Sequence, residues 1–431
     1  MRGMGFVILF AAAAHAAALH YAMVVGQAQA LAREPRRPAA TLPARAAGRW
    51  RLAGVLGDGC VLRVRGQGPL VVTRLGHHPQ GVHCAQLRIT GAGPRPAVLW
   101  SAHGAFFAAH PSGEGTGTEA ALSWPAAGER FTHVWVAGAS WPLRVYALVD
   151  GPAGTAAARF VIHAASRISM AVRVTLFARA PGSIRGMGPL ESLYWYGVAN
   201  HVPAQALYPA VHDADGVLVK TATAAIWQPL ADPHRLRRPL MTRHAAHAFG
   251  LLQRDRVSGR YESLAARYQD RASVWAALKV PQSAQIRLTE APWCGPRNIV
   301  AYWRLPARIG PHGLAVAYTL TFGRQRAVAR RARVIATLMG GDARSGDLKY
   351  VIEYAGAALA HVKLSALRAG IAVYPHTRVV EDRLERNPYT GGLRQVIQVV
   401  AASRPMRVRA WLGSARGAVS EIWQYWIFHP R

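Results

Sequence analysis

Acidic side chains are scarce in this sequence. Against 52 lysines and arginines, its 431 residues contain 21 aspartates and glutamates, leaving a formal charge of +31. Lysine is scarcer still, occurring at Lys220, Lys279, Lys349 and Lys363, so arginine carries almost all of the positive field. Such a field favours anionic partners, and it is equally what an arginine-rich composition leaves on a solvated surface. Nucleic acid is not the expected anion, because neither a zinc-finger spacing nor an RNP-type motif accompanies the charge. Three cysteines, Cys60, Cys84 and Cys294, exclude a disulfide-dense scaffold; Cys60 with Cys84 is the pair an oxidising compartment would join. His77, His78, His83 and Cys84 cluster without the spacing of a common zinc site and read as a polar strand edge, so neither metal nor cofactor is expected. Internal repeats are lacking, which argues against a solenoid or propeller.

Long uncharged runs are also rare, and the one from Gly5 to Gly26 stands out. Arg2 precedes it, and Ala14-His15-Ala16 and Ala28-Gln29-Ala30 offer small-residue cleavage sites. Residues 1–32 therefore read as a signal peptide or an N-terminal anchor, cleavage being the expectation. Both readings put the folded body outside the cytoplasm, with the anchor as its sole route to a membrane. Residues 33–49, rich in Pro, Ala and Arg, read as a linker.

Half of the residues are apolar, and the length suits two domains. Segments such as CVLRVRG, PLRVYALVD, ARFVIHA and MAVRVTLFA alternate or run in β-branched and aromatic residues between Gly, Pro and Asp, the pattern of an all-β sandwich. Helical signal in the body is confined to Tyr354–Arg368. The charged run RQRAVARRAR, residues 324–333, cannot be core and divides a domain over 45–323 from a second over 334–431. In the second, DLKYVIEYAG, GIAVYPHTRVV, GLRQVIQVV, MRVRAWLG and SEIWQYWIF are short strands in a unit of immunoglobulin-like size, and RNPYTGG has hairpin-loop chemistry.

Polar clusters alternate with aromatic strands between Tyr194 and Trp303, an arrangement that suits a sugar cleft, where pyranose faces stack on rings and hydroxyls take paired hydrogen bonds. Aromatics at alternating strand positions are also ordinary core. Asp213 and Asp215 in HDADG could act as acid and base, hold a cation, or form an Asx-type turn, and their spacing favours the turn. Arg254 and Arg256 share one side of an extended chain with Asp255 opposite, fitting an ion-pair network or substrate contact equally well.

The motifs VHDADGV, IWQPLADP, FGLLQRDR, SVW and NIVAYW, in that order and spacing, resemble the periplasmic glucan biosynthesis protein G and D family. The likeness covers about the last 300 residues, from Glu129 to SEIWQYW, whereas residues 50–128 match poorly. It implies a large mutarotase-like β-sandwich followed by a small immunoglobulin-like one, in an exported, periplasmic protein that handles β-1,2-linked glucan. Members of that family include inverting β-1,2-glucanases, which need two separated acids.

The base-side carboxylate of that pattern falls on Asp213. The acid-side aspartate stands before N-I-V-A-[YF]-W, where this chain has Arg297 in a loop, WCGPR, about two residues shorter. A guanidinium stays protonated and cannot hand a proton to a glycosidic oxygen. The expectation is a glucan-binding protein with reduced or absent hydrolysis. Asp213 would sit on the water side, while Trp227, Arg254, Arg256, Trp275, Arg297, Tyr302 and Trp303 contact sugar hydroxyls, rings or anionic decorations. Two alternatives remain open: an active glucanase or transglycosylase whose acid has relocated, for instance to Glu290, and a polyanion-binding envelope protein.

Overall fold

The computed structural model describes residues 21–34 and, with short breaks, residues 105–427, together with four strand segments between residues 51 and 99. Cys60, Cys84, Cys294, His77, His78 and His83, the run before residue 21 and residues 325–330 lie outside the described residues. The chain is nearly all β, as the alternating segments require. It forms two compact units: residues 1–190, 276–284 and 302–323 in one, and residues 191–275, 285–301 and 324–431 in the other.

In the first unit, an antiparallel sheet runs in the order Arg51–Val55, Arg130–Ala137, Leu143–Asp150, Gly154–Ala164, Ile168–Ala178 and Leu314–Phe322. Alternation in Ile168–Ala178 buries Ile168, Met170, Val172 and Val174 and turns Arg173 outward. Residues 21–33 form an α-helix whose Val24 and Ala28, one turn apart on a single face, are buried against Tyr146, Leu148, Ala157 and Phe177. Thr155 donates its hydroxyl to the Ala28 carbonyl at 2.5 Å, and the hydroxyls of Tyr21 and Thr175 are 3.1 Å apart. The candidate cleavage site Ala28-Gln29-Ala30 thus lies within this helix. No helix among the described residues is long and apolar enough to cross a membrane.

The second unit contains a seven-strand sandwich. Arg333–Gly341, Leu348–Ala355, Leu393–Val399 and Val379–Arg386 form one sheet in that order; Arg368–Tyr374, Met406–Ser414 and Ile422–Ile427 form the other. Lettered along the chain, these are sheets ABED and CFG, the order of an immunoglobulin constant-type sandwich. Tyr350, Ile352 and Tyr354 from one face and Met406, Val408, Ala410 and Leu412 from the other share its core with Trp423. The last strand also pairs in parallel with Ala225–Pro229, which continues through Gly216–Thr221 to Ala246–Leu252. The unit is therefore larger than residues 334–431.

One expectation needs correction. Tyr354–Arg368 is not a helix: Tyr354 and Ala355 finish a strand, Gly356 turns the chain at φ +143°, the described residues beyond it hold two three-residue 3₁₀ turns, Ala357–Leu359 and Leu364–Ala366, and Arg368 begins the next strand. The local amphipathic pattern yields to sheet pairing and to a glycine conformation that other residues rarely adopt.

Candidate functional site

The HDADG corner lies in the second unit. The strand Tyr194–Tyr196 pairs with Val211–His212, setting Tyr194 opposite His212 and stacking their rings at 5.3 Å. The next backbone amide, Asp213 N–H, donates to the Leu193 carbonyl, and the chain turns. Gly216 follows because nothing larger fits: a Cβ there would lie 2.1 Å from the Trp227 indole.

The structure separates the two aspartates. Asp215 is half-buried like Asp213, but its carboxylate is committed: it accepts the backbone N–H groups of Arg254 at 3.1 Å and Asp255 at 2.8 Å, while desolvation pushes its pKa up to about 6. It is the turn-forming aspartate of the pair. Asp213 keeps 15% of its side chain in solvent and faces the Arg271 guanidinium, Nε to Oδ1, at 3.3 Å. An ion-paired carboxylate at the surface can accept hydroxyls or position a water.

His212 is held neutral, its pKa pushed down to about 4 by burial. Gln253 commits its amide N–H groups to the Tyr261 hydroxyl and the Tyr268 carbonyl, so its Oε1 accepts from His212 Nδ1 at 3.1 Å. Tyr261 in turn donates to the Asp255 carbonyl at 3.0 Å. A small cavity of about 30 Å³ among Tyr194, His212, Asp215, Trp227 and Asp255 has room for water and not for a pyranose ring.

The arginines of QRDR stand outside any strand, since the preceding strand ends at Leu252. They therefore do not alternate sides as strand residues would. Arg254 spends its guanidinium on both oxygens of Glu421 at 2.8 Å and on the Val334 carbonyl at 2.7 Å, with its planar group 3.7 Å above the Trp227 ring. Arg256 donates to the carbonyls of Gln269 and Arg271 and so holds the loop that delivers Arg271 to Asp213. Trp227 is buried, and Trp275 is half-buried with Lys220 at 5.2 Å from its ring. Tyr302 and Trp303 fall in the first unit, both buried, Tyr302 stacking on Trp124 and Trp303 meeting Tyr318 edge-on.

Arg297 is half-buried beside Asn298, whose side chain ties the loop down by accepting Tyr194 N–H and donating to the carbonyls of Tyr194 and Ala291. Glu290 is enclosed, accepting the Ala231 N–H at 3.2 Å, and burial lifts its pKa to about 7. That value suits a proton donor, but at 2% exposure Glu290 offers a substrate almost no surface.

Sequence reasoning passed over Arg271, Tyr261, Trp195, Trp293 and Asp232. Arg271 carries no signal except its place beside a turn that Arg256 supports. Trp195 and Trp293 sit inside motifs that were legible, YWYG and WCGPR, but their contact joins segments about a hundred residues apart. Among the described residues, no group of three His, Cys, Asp or Glu side chains could hold a metal ion.

A family model described as periplasmic glucan biosynthesis protein, MdoG, matches residues 118–427. The glucans biosynthesis protein D 1 of Ralstonia nicotianae (strain ATCC BAA-1114 / GMI1000) is 33% identical over a 338-residue alignment covering 68% of this chain and 61% of that protein. The glucans biosynthesis protein D 2 of the same organism is 30% identical over 325 residues, covering 70% and 59%. The chain thus spans about six-tenths of the length of these relatives.

Proposed function

The chain belongs to the periplasmic glucan biosynthesis protein (MdoG) family, and from that premise we propose that it is an exported, periplasmic protein of glucan biosynthesis that binds the β-1,2-glucan backbone without ordinary hydrolysis. The single observation that supports this most is the asymmetry across the motif residues: Asp213 remains, partly open and paired with Arg271, while position 297 holds a guanidinium.

Inverting hydrolysis needs one carboxyl to protonate the leaving oxygen and another to activate water. General acid catalysis contributes about 10²- to 10⁴-fold, and an arginine supplies none of it. Asp213 then orients a sugar hydroxyl or a water, Arg297 offers its fork of donors to hydroxyls or to anionic substituents on the glucan, and Trp275 offers a ring face. Trp227, Arg254 and Arg256 support this from within the second unit, since each is buried or spends its donors on the protein itself, and Tyr302 and Trp303 belong to the core of the first.

Glu290 gives the hydrolase reading its one specific support, through a pKa near 7; its enclosure weighs against it. Calorimetric titration of the full chain with linear β-1,2-glucan, with β-1,3-glucan and heparin as comparators, tests the proposal. Saturable binding to the β-1,2 polymer that survives physiological salt is expected. Binding to heparin alone, abolished steeply by salt, would instead identify a polyanion binder.

A further inference from the structure

The loop that carries Arg297 also builds something. Trp293, in that loop, is the exposed tryptophan among the described residues, with 40% of its surface in solvent. A single exposed apolar side chain is ordinary. A clamped one is not, because a large ring left to itself samples several rotamers.

Three contacts hold this ring and its neighbours. The Trp293 backbone N–H donates to Asp232 Oδ1 at 2.7 Å. One indole face lies on Trp195 with centroids 4.0 Å apart and planes 11° apart. Trp195 is fixed in turn, as the middle residue of the strand Tyr194–Tyr196 that pairs with Val211–His212, with its ring edge-on to Tyr196 at 4.9 Å. Burial raises the pKa of Asp232, and the charges of His234 and Arg237 act in the opposite direction. The outcome is a flat, oriented ring, partly open to solvent, beside a carboxylate that accepts hydrogen bonds and stacked on a strand that pairs with the one leading into the Asp213 corner.

A pyranose ring presents complementary chemistry: a face of C–H groups that packs on an indole, and hydroxyls on its rim that donate to a carboxylate. The 30 Å³ cavity is too small for such a ring, whereas the Trp293 ring lies at the surface. Pre-orientation by Trp195 and Asp232 removes the ordering cost that a mobile tryptophan would bring to binding.

We propose that Trp293, backed by Trp195 and flanked by Asp232, is a binding subsite for one neutral hexopyranosyl unit of the glucan, with Trp293 as stacking platform and Asp232 as hydroxyl acceptor. This rests on the glucan-binding reading above and assigns part of the affinity to particular side chains.

Neutral linear β-1,2-gluco-oligosaccharides titrated into the full-length protein, followed by calorimetry and tryptophan fluorescence, provide the test. Trp293→Ala should weaken binding roughly ten-fold or more, and Trp293→Phe, which keeps a smaller ring, should fall between it and wild type. Asp232→Asn should weaken binding by a smaller factor, and the fluorescence response of the wild type should shrink in Trp293→Phe. Far-ultraviolet circular dichroism identical to wild type shows that the variants are folded. If the wild type binds and all three variants bind as tightly, the subsite is wrong while the glucan-binding reading stands. If the wild type does not bind, both fall.

Discussion

The HDADG corner and the Ala291–Asn298 loop flank the same strand, Tyr194–Tyr196, yet they are built on opposite terms. In the corner, nearly every polar group is committed: Asp215 to two backbone amides, His212 to Gln253, Arg254 to Glu421 and Val334. In the loop, Asn298 alone supplies three hydrogen bonds to the backbone, and Trp293 and Arg297 reach the surface. A corner bonded at this density tolerates little change, because each lost partner strands a buried group. A loop held through Asn298 and the Trp293 amide leaves more of its side chains open to replacement. That difference explains how Asp213 stays in place while the residue expected to complement it gives way to arginine.

The largest effect is expected in the corner. Arg254→Met should cost about 3–5 kcal/mol in denaturant-monitored stability, since it leaves Glu421 buried without its counter-charge; a loss below about 1 kcal/mol would show that the corner is less tightly determined than its contacts imply. Asn298→Ala should cost roughly 2–3 kcal/mol by leaving the Tyr194 amide and carbonyl unsatisfied, and should free the loop.

A pH series sharpens the contrast. Glu290 has its folded pKa raised from 4.5 to about 7, so its contribution to stability is full below about pH 4.5 and is lost as the pH climbs through 7. Asp215, raised to about 6, and Glu129 of the first unit, raised to about 8 by burial despite a 2.6 Å hydrogen bond from Ser123, act with the same sign. His212, depressed to about 4, acts oppositely: its contribution is present above about pH 6.5 and lost as the pH falls through 4. Glu290→Gln should remove a slope of about 1.4 kcal/mol per pH unit between pH 5 and 7, measurable as the pH dependence of the unfolding midpoint. Smallest of all, Arg297→Ala should change stability by about 1 kcal/mol or less while weakening glucan binding.

Much of this was legible in the sequence, for identifiable reasons. Strand alternation in segments such as MAVRVTLFA is set by which face is buried, so all-β architecture followed directly. Asp213, Asp215 and Arg297 were found because motif order marks them. Tyr354–Arg368 misled because helical periodicity over a short stretch is weaker than the pairing of Tyr354 with Leu393. The Arg271 ion pair, the Arg254–Glu421 bridge and the Trp195–Trp293 stack could not be read in advance, because each joins residues whose proximity depends on tertiary folding rather than on spacing.

In the proposed reading, a permanent cation stands where a proton donor is needed. Wild-type protein incubated with linear β-1,2-glucan, with new reducing ends counted over time and the anomers followed by NMR, tests it most directly. Bound polymer and no product above the no-protein control are expected. Steady release of short oligosaccharides with inverted anomers would contradict it.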